Sequence, residues 1–79
     1  LAPQAVIDRL KPLATTDSAW LGSAGEMVAM ADLKLNRTVE ARAMFTLIGN
    51  SDKVPEGIRS RANQATQALD PGTNVQKGK

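Results

Sequence analysis

The stretch WLGSAGEMVAMADLKLNRTVEARAMFTLI, residues 20–48, decides the fold. Placed on a helix at about 100° per residue, Trp20, Leu21, Ala24, Met27, Val28, Ala31 and Leu35 form one apolar stripe. The opposite side carries Gly22, Gly25 and Ala29 at three- and four-residue spacing, flanked by Met30 and Leu33. Glycine inside a helix costs about 1 kcal/mol against alanine, so two on one side point to the close approach of a neighbouring helix. The turn Asn36-Arg37-Thr38-Val39 follows. Asn36 stands where a left-handed C-cap residue is expected. Thr38 is placed to cap the next helix, with Glu40 in its first turn, where the dipole favours a carboxylate. That next helix puts Ala41, Met44, Phe45 and Ile48 on one side and Val39, Ala43 and Leu47 on nearly the opposite side. A helix that is apolar on two sides predicts the middle layer of a stack. Residues 18–49 therefore read as a helical hairpin with Trp20, Val28, Ala29, Ala41, Phe45 and Ile48 in its core.

Outward from the hairpin, residues 1–14 predict a preceding helix. Pro3 suits its first turn, Val6, Leu10 and Leu13 share a face with Ile7 at its edge, and Pro12 kinks or ends it. Thr15-Thr16-Asp17-Ser18 is a cluster of cap and turn formers, from which Asp17 or Ser18 is expected to cap the hairpin's first helix. After the loop residues Gly49-Asn50-Ser51-Asp52, Pro55 opens a final helix over residues 55–70. Ile58, Ala62, Ala65 and Leu69 form its single narrow stripe, and Arg59, Ser60, Arg61, Asn63, Gln64 and Gln67 cover the rest. A polar outer face on a terminal helix is how helical arrays end. Pro71 and Gly72 stop it, and residues 71–79 carry no apolar period, so a disordered tail is expected. The fold class is then all-α, a short antiparallel array of about four helices. No alternating β pattern occurs.

Composition narrows the chemistry. The chain has 79 residues, enough for one domain with a marginal core. It holds neither cysteine nor histidine, so disulfides, the usual zinc sites and an imidazole base are excluded within it. Ten basic residues face eight acidic ones, and setting aside Lys77 and Lys79 leaves a neutral body. This weakens a nucleic-acid reading that would use Arg59 and Arg61 with Lys53 nearby. No nucleophile elbow, phosphate loop or calcium loop is present. Glu26 and Asp32 lie about 120° apart on their helix and form no local pair. Met27, Met30 and Met44 read as core filler rather than metal ligands. No catalysis, cofactor or metal is expected, and no bilayer span. Leu1 in place of a starting methionine fits a fragment of a longer protein.

From Gly22 onward the hairpin resembles a tetratricopeptide repeat. Val28-Ala29 match the large-then-small pair at the repeat's seventh and eighth positions, and Ala41 with Phe45 match the alanine and aromatic of its second helix. Asp32, where the family carries an apolar residue, Asn36 in place of the turn glycine, and the late proline Pro55 depart from the pattern. Residues 10–69 as a whole are similar to the C-terminal part of bacterial membrane-anchored tetratricopeptide-like proteins, the family of the ancillary Sec translocon subunit and the cell-division coordinator. The matching features are Asp17-Ser18-x-Trp20, Thr38-x-Glu40-Ala41-Arg42, and Pro55-x-Gly57-x-Arg59-x-Arg61-Ala62. The resemblance implies a membrane anchor upstream, a location on the periplasmic side of the inner membrane, and non-catalytic scaffolding through a protein partner. It also marks Gly22, Glu26, Met30 and Leu33 as the candidate partner face. The competing expectation, and the favoured one, is that the helix of residues 1–14 covers that face. If it does not, the chain is expected to self-associate there.

Overall fold

The computed structural model describes residues 2–69, so the stretch 71–79 expected to be disordered lies outside the described residues. Four α-helices follow one another: α1 (Pro3–Leu10), α2 (Leu21–Lys34), α3 (Thr38–Gly49) and α4 (Glu56–Ala68), with a 3₁₀ turn at Lys11–Leu13 after α1. No strand occurs among the described residues. The all-α array read from periodicity is the architecture observed.

α1 ends where Pro12 is expected to end it. Pro12 cannot donate to the Asp8 carbonyl and its ring crowds the preceding turn, so the helix stops at Leu10 and tightens into the 3₁₀ turn. This break swings Leu13 out to solvent. Ile7 is the fully inward residue instead, with Val6 and Leu10 half-buried beside it. Ile7 meets Val28 and Ala31 of α2 in a small cluster of its own.

α2 is the central helix: it packs on α1, α3 and α4, and eight of its fourteen residues are buried. It starts later than the cap cluster suggested. Ser18 Oγ accepts the Trp20 N–H at 3.0 Å, and the Ser18 carbonyl accepts the Leu21 N–H at 3.2 Å. These bonds form a turn ahead of the helix rather than a cap on it. Trp20 becomes the residue before the first helical turn, makes no side-chain cap, and stands 61% exposed. Its expected place in the core belongs to Leu21, which is fully buried.

The far end of α2 follows expectation. Asn36 adopts φ 60°, the left-handed conformation. The Arg37 N–H donates to the Asp32 carbonyl at 2.8 Å and the Asn36 N–H to the Leu33 carbonyl at 3.0 Å, the two bonds of a Schellman closure. α3 then begins at Thr38 itself. Arg37 occupies the cap position and no side chain caps the helix, so the capping role expected of Thr38 is not realised.

The main core lies among α2, α3 and α4. Leu21, Ala24, Ala29, Ala41, Phe45, Ile48 and Ala62 are its buried members on these helices, joined by Ala14 after the 3₁₀ turn and Val54 from the loop before α4. α4 folds back over the inner side of α3 and also touches α2. Among the described residues no element covers the outer side of α3. Val39 is 80% exposed, Ala43 is exposed and Leu47 is half-buried. The middle-layer expectation for α3 holds, since it packs on both α2 and α4; what is corrected is its second stripe, because Val39 and Ala43 stay at the surface.

Candidate protein-binding groove

α2 is closed on every side but one. Counting around the helix, Ser23, Met27, Met30 and Lys34 share the open strip. Met27 is 55% and Met30 50% exposed. α1 and α4 stand to either side of this strip without packing on each other. Between them runs a groove of about 570 Å³. Met27, Met30 and Ala31 form its floor, Pro3 and Val6 of α1 one wall, and Arg61 and Ala65 of α4 the other, with Phe45 showing at depth.

The charged groups are placed at the edges. Arg61 Nε and Nη2 donate to the two carboxylate oxygens of Glu26 at 3.0 and 3.1 Å. This two-pronged pair ties the α4 wall to the α2 floor. The hydrogen bond and the charge of Glu26 raise the Arg61 pKa further, so the guanidinium stays charged. Lys34 also lines the groove and makes no ion pair among the described residues. The result is an apolar hollow with one matched charge pair and one unmatched cation.

The four residues expected to form a partner face do not share a surface. Glu26 and Met30 line the groove. Gly22 is buried: a Cβ there would stand 3.1 Å from Val54 Cγ1 and 3.5 Å from Ile58. Leu33 is half-buried against the main core. The expectation that the helix of residues 1–14 covers the glycine side is corrected as well. α3, Val54 and α4 cover it, and α1 lies elsewhere on α2. Of the expected hairpin core, Val28, Ala29, Ala41, Phe45 and Ile48 are buried, and Trp20 is not.

Arg59 and Arg61 are also kept apart. Arg61 faces the groove, whereas Arg59 lies in a separate polar hollow with Glu56, Ser60 and Asn63. Two residues along a helix separate them by about 200°. Arg59 is half-buried, and its Nε finds no hydrogen-bond partner. Among the described residues no group of three or more acidic side chains is placed to hold a metal ion. No helix there is long and apolar enough to cross a membrane.

Residue-type reasoning missed Met27, Lys34, Val6 and Ala65 as groove residues. Helical spacing alone puts Met27 on the stripe of Ala24, Val28 and Ala31, of which those three are buried and Met27 is not. The one available signal was an excess: α2 carries apolar residues over most of its circumference, more than three neighbours can cover.

Compared with protein-family models, curated proteins and solved structures, the chain matches none.

Proposed function

We propose that this chain is a non-catalytic protein–protein interaction module, a short tetratricopeptide-like array that receives a partner along the open strip of α2. The observation that carries this reading is the exposure of Met27 and Met30 at the bottom of an apolar groove on the central helix, whose other large apolar residues are buried or half-buried. A domain of this size has little apolar area to spare, so two large uncovered side chains in a hollow favour a surface completed by a partner. Methionine suits such a floor because its unbranched, polarisable chain adapts to differently shaped occupants. The resemblance of residues 10–69 adds the setting: the end of a membrane-anchored array on the periplasmic side. A nucleic-acid reading gains no support, because Arg59 and Arg61 face different hollows and Glu26 already matches the charge of Arg61.

Site-specific photo-crosslinking in cells tests the reading. A crosslinking residue at Met30 is expected to form a protein adduct that the same residue at Gln67, exposed on the polar side of α4, does not. Equal labelling at both positions, or none at either, would remove the groove as a binding site.

A further inference from the structure

The chain has no cysteine, so its three methionines hold all of its sulfur. Thioether oxidation is then the only sulfur redox chemistry open to it. The structure sorts these methionines into two environments. Met44 is half-buried and packs against both core clusters. Its Sδ lies against α2, 3.2 Å from where a Cβ on Gly25 would stand. Met27 and Met30 are 55% and 50% exposed. They are three residues apart, hence neighbours on one face of α2, and both line the groove. The sulfur that an oxidant in solution reaches most readily is therefore concentrated on the groove floor.

Resting on the reading of the groove as a protein-binding site, we infer that Met27 and Met30 form an oxidation site that switches this binding off, with a hydroperoxide as the modifying reagent. Each thioether sulfur attacks an oxygen of hydrogen peroxide. The S–O bond forms, the O–O bond breaks, and the proton of the attacked oxygen passes to the departing hydroxide. The products are methionine sulfoxide and water; sulfur gives up two electrons and the peroxide takes them. The sulfoxide is polar where the thioether was apolar. Two of them side by side turn the apolar floor into a hydrated one. An apolar side chain entering the groove must then strip that water without replacing its hydrogen bonds. The fold itself is spared, because both oxidised side chains stand half in water, whereas a sulfoxide on Met44 would press a polar oxygen into the contact between α2 and α3. Sulfoxide reductases restore the thioether, the oxygen leaving as water while a dithiol becomes a disulfide.

Two measurements test this. The purified full chain is treated with dilute hydrogen peroxide and sampled over time by peptide mass spectrometry. Met27 and Met30 are expected to oxidise at least about tenfold faster than Met44 in the folded chain, with the helical circular dichroism retained, and all three at similar rates in urea. Equal rates in the folded chain, or Met44 leading, overturn the inference. The second measurement places a photo-crosslinking residue at Lys34, which is exposed and lines the groove. After a peroxide pulse to cells, the protein adduct should fall several-fold with the native methionines and hold level in Met27→Leu/Met30→Leu, which keeps the floor's volume without its sulfur. Each chain is compared with its own untreated yield, so any effect of leucine on binding itself cancels. An equal fall in both chains overturns the switch and leaves the groove reading standing. So does an undiminished adduct when mass spectrometry finds both methionines oxidised. If the chain with native methionines forms no adduct even without peroxide, the groove reading falls and the switch with it.

Discussion

Two faces of α2 differ in a way that reverses ordinary intuition about size. The small-residue face, Gly22, Gly25, Ala29 and Asp32, is wholly buried. The face with the large apolar side chains, Met27 and Met30, is half-open. The cause lies in how neighbours approach. Where α2 has no Cβ, Ile48 and Met44 of α3, Val54, and Ile58 of α4 press directly on its backbone. On the methionine side, α1 and α4 stand apart and leave a groove. Burial here follows the distance a neighbouring element can reach, and a glycine shortens that distance while a methionine lengthens it.

The largest effect should come from Phe45, which belongs to the closed core and also shows at the depth of the groove. It is 4% exposed. Phe45→Ala should cost about 3–5 kcal/mol, as aromatic truncations in cores do. That is comparable to the whole stability of a domain this small. Urea unfolding gives the measurement. A loss under about 1 kcal/mol would mean that the region beneath the groove is already loose, and the contrast between the two faces would fail.

The closed face itself is probed by Gly25→Val. Even a first carbon at this position would stand 3.0 Å from Ile48 Cδ1 and 3.2 Å from Met44 Sδ. Met44 can yield because its chain is flexible, but Ile48 is fully buried and has no free direction. Overpacking of this kind costs about 1–3 kcal/mol, roughly 4–8 °C in Tm for each kcal/mol in a domain of this size. An unchanged Tm would show that α3 does not press on this side of α2.

What could be read beforehand was local and periodic. Gly22 and Gly25 announced a close approach, Asn36 announced its left-handed turn, and Ala41, Phe45 and Ile48 announced an inward stripe, because each depends on backbone geometry or spacing along one helix. What could not be read depended on where other helices finish. Trp20 left the core because Ser18 built a turn that delayed the helix. Val39 and Ala43 stayed exposed because α4 folds to the inner side of α3. Met27 joined a groove because α1, shortened by Pro12, and α4 leave that strip uncovered. Val54, a loop valine outside any periodic segment, gave no warning that it would cover Gly22.

The open face should tolerate truncation. Met30→Ala removes a side chain that is already half in water, so its cost should stay within about 1 kcal/mol. If the groove binds a protein as proposed, that binding should fall nonetheless, because the floor loses one of its two methionines. The same urea titration, set beside the crosslinking yield at Met27, separates the two effects. A loss comparable to that of Phe45→Ala would mean that Met30 is a core residue and the groove a misreading.

The smallest effect is a slope, and it concerns the one charged member of the closed face. Asp32 is 6% exposed and lies in the last turn of α2, where the helix dipole disfavours a negative charge. Burial pushes its carboxyl above the ordinary value of 3.8; the charge of Arg37 pulls it back, Glu40 pushes it up again, and Lys11 lowers it. A carboxyl whose pKa is raised by folding binds its proton more tightly in the folded chain. The stability this contributes is fully present below the unfolded value and is lost as pH rises through the raised folded one. Asp32→Asn cannot titrate, so its stability should fall less than that of the wild type over this window and match or exceed it near neutral pH. Urea midpoints for both proteins at several pH values from about 3 to 7 give the comparison. If the asparagine variant is instead clearly weaker at neutral pH, the carboxylate is held by Arg37 and Lys11 in a net favourable arrangement. The C-terminal end of the closed face would then be sealed by charge rather than by packing.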